Sequence, residues 1–461
     1  MNINDRNPDR YYDVIVIGAG VSGVCAALAS SRNGVKTLLV EKSGYPGGMA
    51  TGAWVHSMLT FHGKKGHKII GGIAEEIIQN LISIGGTHGH IRDTIGVAYS
   101  VTPNNSDKLK YVLLLLLENS KVAPLFNTYF IKPAMENGKI KGVILENNRG
   151  SFHIRGKIFI DASGEGILAS RAGNDFEAGR NDKVQPVTLI FKVRNVNIKE
   201  IIDNMVEQRD NFHNETLFDR LKYTPCLGVS GFFNEWKGAR LKVPRDRILF
   251  YQTMEEDEIG VNSTRINDID PSDSLDILYA EREGRRQMYE IFNFLKKKLR
   301  PFKDAKISGE APLLGVREVR RIKGKYVLTE DDLLHGRRFP DEVALGGFPI
   351  DIHRPEGSGI ESEEVGGKGF YGIPYYALIA DKIPNLFITG KCFSATFRAH
   401  ASARVQATSM AMGQAVGTAA ALSIHEKTDP AVLSTDLLRE RLLSQSAILE
   451  PEEPSESNFL E

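Results

Sequence analysis

Cysteine is scarce in this chain of 461 residues: Cys25, Cys226 and Cys392 stand far apart and form no CxxC pair. Such spacing excludes a disulfide framework and offers no zinc site, so no metal is expected. A reducing, cytoplasmic compartment fits best. An excess of charge of either sign is also missing, with 58 basic against 58 acidic side chains. That balance removes the broad positive field favoured by nucleic-acid or anionic-membrane partners, and neither is expected, although a local basic patch stays open. The longest apolar run, 112–117, falls far short of the roughly 20 residues that span a bilayer, and reads as buried helix. The opening MNINDRNPDR is polar and no apolar stretch with a small-residue cleavage site follows it, so export is not expected.

What is present suffices for two cores, one of them interrupted in sequence by the other. Residues 12–17 are rich in Val and Ile, a glycine-rich turn follows, CAALASSRNG is helix-forming up to Gly34, and VKTLLVEK is again strand-like. This is one strand–helix–strand unit. Apolar residues at helical spacing predict an amphipathic helix over 69–84, and 107–119 a second. From 122 to 160 short strands with turns at 137–138 and 148–150 predict antiparallel hairpins. The expected organisation is a discontinuous body from 1–186 and 370–430, an inserted α+β domain at 187–369, and a final helix with a disordered acidic tail at 431–461. NLFITG predicts a buried strand, and 401–424 one long helix carrying Ala407, Ala411, Ala415 and Ala419 every fourth position, a face able to press on a sheet. Packing alone also explains those alanines.

Gly18, Gly20 and Gly23 stand in GAGVSG between a strand and a helix, the context that makes this string a dinucleotide fingerprint. Gly18 permits the turn, Gly20 lets a pyrophosphate approach, and Gly23 lets the helix lie close to the strand. Val21 and Ser22 open the helix, whose free N–H groups and positive dipole end suit phosphate. The Ser22 hydroxyl is a further donor. Glu41, at the end of the second strand and followed by Lys42, is placed to accept from ribose hydroxyls.

The fingerprint does not separate FAD from NAD. The following residues do: VIVIGAGVSGVCAALASSRNGVKTLLVEK with PGGMAT resembles the start of the glutathione reductase and fumarate reductase superfamily of FAD enzymes. The resemblance implies that Gly47, Gly48, Met49 and Thr51 pass along the flavin. IDASGEG, with Ala162, Ser163 and Gly164, is similar to the second nucleotide motif of that superfamily. NLFITGKCFSAT with the helix after it is similar to the flavin motif, in which Gly390 approaches the ribityl phosphate. Arg404 and Val405 would lie at the flavin, with a helix starting near Ala403 aimed at its O2 and N1. GVREVRRIKGKYVLTEDDL, DIHRPEG and YGIPYYAL extend the likeness to a bacterial family known as FAD-dependent oxidoreductases. The implied fold is α/β, a Rossmann-type domain with a parallel sheet and an antiparallel β crossover, carrying the insertion. Phe397 and Arg398 depart from the histidine and acidic residue usual in that family, which puts substrate specificity in doubt if they touch substrate. A second GxGxxG for a nicotinamide is missing.

A flavin performs hydride chemistry at N5, so the chain must orient substrate and handle a proton. Arg317 is a candidate carboxylate clamp, or with Arg320 and Arg321 a solvated basic face. His353 lies two residues from Asp351, so in a strand the carboxylate can orient the imidazole; an ordinary loop pair is the alternative. His400 is placed near the isoalloxazine by the resemblance, or makes an interdomain hydrogen bond. His56 and His62 are candidates for the flavin face or for covalent attachment, and Tyr371 for the pocket or for packing. The expectation is an FAD-dependent oxidoreductase moving a hydride between a small molecule and flavin, with an unidentified electron acceptor or donor. A flavin-free binding protein on the same fold, as in the Rab GDP-dissociation inhibitors, is opposed by the retained Glu41, the glycine doublet and the C-terminal motif. A tRNA-modifying flavoenzyme is opposed by the balanced charge.

Overall fold

The computed structural model describes residues 10–181, 183–451 and 453–454. The expected unit forms as strand β1 (Tyr11–Ile17), helix α1 (Val21–Arg32) and strand β2 (Thr37–Val40). β1 and β2 are parallel, in register from Val14 against Thr37 to Ile17 against Val40. Buried on both faces, the two strands need the continuous Val, Ile and Leu runs they carry. Ala123–Leu125 extends the parallel part beyond β2.

The strand Gly150–Asp161 organises the sheet. Its first half is antiparallel to Lys139–Asn147, and its second half is parallel to β1 and to Leu386–Ile388. The expected hairpins are therefore the antiparallel crossover of the body. Asn137 and Gly138, both at positive φ, turn the chain between Tyr129–Glu136 and Lys139–Asn147, as an Asn-Gly turn does. The fold is α/β with a Rossmann-type body.

Two predicted helices shift. The first begins at Gly72 rather than near 69, because Ile69 N–H donates to Phe61 O and Gly72 takes a φ of +60°. The long helix expected over 401–424 is broken into Phe397–Ala403 and Gln406–His425, with Val405 extended between them. That break sits at the site described below. The close face of the second piece is also not the alanine stripe. A Cβ on Gly413 would lie 2.1 Å from Ser22 O, and one on Gly417 2.2 Å from Ala26 O, both in α1. Helix lies on helix there at a distance only glycine permits.

The insertion has its own core, drawn from residues 187–314, beneath a five-stranded antiparallel sheet and the helix Ser274–Lys298, capped by Asp273. Residues 328–370, expected to belong to it, instead contribute Leu328, Leu345, Ile350 and Ile352 to the core of the body. The apolar boundary thus falls well before 369. The helix expected in the last segment is Thr435–Ser444, whereas most of the acidic tail, like residues 1–9, lies outside the described residues. Among the described residues no helix is long and apolar enough to cross a membrane, and no group of three or more His, Cys, Asp or Glu is placed to hold a metal.

Candidate functional site

The glycines of the first turn serve two different ends. Gly18 has φ +101°, and a Cβ there would lie 2.6 Å from Ala162 O; a Cβ on Gly23 would lie 1.8 Å from Gly18 O. Those two are required by the protein's own packing. Gly20, by contrast, has an ordinary φ of −60°, and its Cβ would meet nothing within 4 Å. What that glycine keeps clear is the space in front of it. Gly20 is also the N-cap of α1, so the helix begins without a side-chain cap and without an acidic residue in its first turn. Its leading N–H groups are left for an anion.

Glu41 is held at the end of β2 by two backbone donors, Ala19 N–H at 2.7 Å to Oε2 and Ser43 N–H at 2.8 Å to Oε1. Each oxygen keeps a second lone pair for a hydroxyl. The doublet Gly47–Gly48 crosses this turn, with Gly47 N–H donating to Ala19 O at 2.7 Å and a Cβ on Gly48 falling 3.0 Å from Gly20 Cα.

Together with Ala162, Ser163, Gly164 and Gly390, these segments line a cavity of about 590 Å³, a volume usual for a cofactor-sized ligand. Val21, Ser22, Lys42, Met49 and Arg404 also reach it. Three expected contacts do not. Gly23 is taken up by packing, Thr51 donates to Pro46 O at 2.7 Å and fills the space beneath Gly47, and Val405 faces a second cavity. The Ser22 hydroxyl, expected as a free donor, is paired with the Thr389 hydroxyl at 2.9 Å. The insertion overhangs the opening through Pro271, Ile277 and Glu281. A larger hollow, about 860 Å³ between Met135 and Lys427, is an open groove that none of the glycine motifs lines.

The second cavity, about 180 Å³, meets the first at Met49, Val316, Lys391, Arg404 and Gln406. The helix break lies at this junction. Val405 caps Gln406–His425 with no side-chain acceptor, so the positive end of a 20-residue helix opens where the cavities join.

Arg317, Asp351 and His353 line the smaller cavity together. Strand alternation in Ile350–His353 places Asp351 and His353 on one face, with His353 Nε2 3.3 Å from Asp351 Oδ2. Its Nδ1 faces Arg245 Nη1 at 3.5 Å. Burial, followed by the charge of Arg317, lowers the imidazole to about 3. Burial alone would raise Asp351, but His353, Arg404 and Arg317 outweigh it and hold the carboxyl below its usual range. The pair is thus a neutral imidazole beside a carboxylate. Arg317 Nη1 donates to Pro186 O at 2.5 Å and Thr188 Oγ1 at 2.8 Å, so it is no solvated surface charge.

Other candidates lie elsewhere. His400 lines neither cavity: its Nε2–H donates to Lys391 O at 2.7 Å, and its ring stacks on Phe393. His56 is buried against the Trp54 and Tyr251 carbonyls and His62 against the Ser100 hydroxyl, away from both hollows. Tyr371 is packed, its hydroxyl on Ser402 at 2.7 Å. Arg398 pairs with Glu361 and Glu363, and Phe397 packs under Arg321, so the unusual pair touches no cavity. Cys25 and Cys392 are buried, which pushes both thiols up.

Two residues of the site were not anticipated. Lys391 lines both cavities, donates to Val316 O at 2.7 Å, and is lowered to about 8 by burial; its position directly after Gly390 was the available signal. Arg245 arrives from the insertion, with no motif around it.

The open cradle before Gly20, the uncapped α1 and the pinned Glu41 fit the pyrophosphate and ribose of FAD. The chain matches the family described as FAD dependent oxidoreductase over residues 13–442. It is 62% identical over 38 residues to a digeranylgeranylglycerophospholipid reductase of Methanocaldococcus jannaschii, covering 8% of this chain and 10% of that one. It is 26% identical over 204 residues to a tRNA uridine 5-carboxymethylaminomethyl modification enzyme of Flavobacterium johnsoniae, covering 37% and 30%. The matches therefore span less than a third of these curated relatives' length. Among solved structures, a geranylgeranyl bacteriochlorophyll reductase-like protein of Thermoplasma acidophilum is similar over 95% of this chain and 84% of its own, at 15% identity and a TM-score of 0.47. For p-nitrophenol 4-monooxygenase of Pseudomonas putida the values are 94%, 84%, 11% and 0.48. On the match that runs nearly end to end, this chain belongs to the FAD dependent oxidoreductase family and is an enzyme whose cofactor is FAD.

Proposed function

We infer that this enzyme moves a hydride between a small organic substrate and flavin N5, with an unidentified electron acceptor or donor completing the cycle. The observation that carries this reading is the junction: a substrate-sized hollow opens on the far end of the cofactor cavity, across Met49, Lys391 and Arg404.

Each group then has a task. Glu41 would accept from the adenosine ribose, the start of α1 would receive the pyrophosphate, and Lys42 and Lys391 would supply cations to the same cavity. The amino end of Gln406–His425 faces the flavin end, where its dipole favours negative charge. Arg317, fixed by Pro186 and Thr188, orients the substrate. His353, with the Asp351 carboxylate beside it, would handle the substrate proton in either direction. The shared motifs support placement beside the glutathione reductase and fumarate reductase enzymes, and the three buried free thiols support a cytoplasmic setting.

The test is anaerobic mixing of the FAD-loaded enzyme with hydroxy acids, sugars and unsaturated acids, the last offered to the reduced enzyme. A substrate should bleach or restore the flavin bands, and His353→Asn and Arg317→Gln should each slow that step by roughly a hundredfold. Unchanged rates in both variants would remove these residues from the mechanism.

A further inference from the structure

The smaller cavity holds more positive charge than the protein itself neutralises. Arg317 and Arg404 line it and Arg245 lies behind its wall, against His353 and Asn262, and among the described residues none of the three forms an ion pair; Asp351 is the carboxylate on its wall. Their hydrogen bonds are few. Arg404 reaches only Gln185 Oε1 and Asp351 O, both at 3.5 Å, and its Nε is buried without a partner. Arg245 donates to Asn262 O at 3.0 Å, and its Nε is likewise buried and unpartnered. Arg245 is 6% exposed. Burial lowers all three guanidiniums, and for Arg317 the neighbouring Arg404 and Arg245 lower it further.

Unpaired buried charge is expensive to maintain, and guanidinium does not escape the cost by giving up its proton near neutrality. A folded chain that carries two such groups on the wall of one hollow and a third behind it is organised around an anion that arrives from outside. Planar guanidiniums meet a carboxylate two-pronged, and a hollow of about 180 Å³ is smaller than drug-sized sites. The charges also come from both cores: Arg245 belongs to the insertion and Arg404 to the helix break of the body. An anion between them would tie the two together.

We propose that the substrate is a small carboxylate whose anionic group is held by Arg317 and Arg404, with Arg245 adding positive charge from behind His353. This rests on the hydride-transfer reading and adds the substrate's class and a residue, Arg245, that no motif marks. The probe is malonate, with the neutral, similarly shaped malonamide as control, titrated into FAD-loaded protein by calorimetry, so that binding is read without turnover. Malonate should bind at least tenfold more tightly than malonamide and raise the melting temperature of the holoenzyme. Arg245→Gln and Arg317→Gln should each weaken malonate tenfold or more, Arg245→Lys should recover part of the loss, and bound flavin should stay at the wild-type level throughout. Equal affinity for malonate and malonamide, or malonate binding untouched by both glutamine variants, overturns the proposal. If in that case neutral substrates still bleach the flavin, the hydride-transfer reading survives without it; if nothing in the substrate panel does, both fall.

Discussion

His353 shows how a residue type can suggest the wrong working range. A histidine is ordinarily expected to titrate near neutrality, yet burial and Arg317 lower this one to about 3. The sign is definite: the free enzyme already holds the neutral, proton-accepting ring, and protonation would switch it off only in strong acid. The pH profile of kcat/KM, which reports the free enzyme, should therefore show no acid limb between pH 5 and 7. An inflection near 6.5 that disappears in His353→Asn would show that the ring is not held in this way. At the same scale, Gly417→Ala places a methyl 2.2 Å from Ala26 O. Overpacking of this kind costs about 1–3 kcal/mol, and a chemical denaturation midpoint unchanged by the substitution would contradict the helix contact.

At the scale of elements, the turns that end strands were open to reading and the break inside a helix was not. GAGVSG, the glycine doublet and IDASGEG each carry their geometry in residue type, because a positive φ or a vanishing side chain is required there. The break at Arg404 and Val405 carries no proline or glycine, and no local signal distinguishes it from continuing helix; tertiary context sets it. Lys391 belongs to the neighbouring turn. Its ammonium is lowered from its ordinary value to about 8 by burial, and a bound pyrophosphate would draw it back up, so FAD binding should take up a proton. Affinity for FAD, measured by fluorescence, should be level below pH 8 and weaken above it, by up to about tenfold per pH unit. Lys391→Met should remove that slope.

For the whole molecule, the sequence located the cofactor better than the substrate, for a physical reason. FAD is gripped by backbone, which demands glycine at fixed spacing, and such spacing survives as a motif. The smaller cavity is lined by Thr188, Arg317, His353 and Arg404, with Arg245 behind His353, residues brought together only when the insertion folds against the body. Arg317 and His353 could be singled out from neighbouring residues, whereas Arg245 could not, and His400, chosen by its place near the flavin motif, turned out to face Lys391 O. The insertion's boundary was likewise obscured, because residues 328–370 are apolar enough for either core and pack with the body.

The claim on which all of this rests is that FAD lies across the space Gly20 keeps open. The direct measurement is bound flavin per chain in wild type and in Gly20→Val, after identical reconstitution and with the melting curve of each apoprotein recorded. A Cβ at Gly20 meets nothing, so the variant should fold and melt like wild type yet retain almost no flavin, against about one per chain for wild type. A Gly20→Val protein as yellow as its parent would show that the cofactor is held somewhere else.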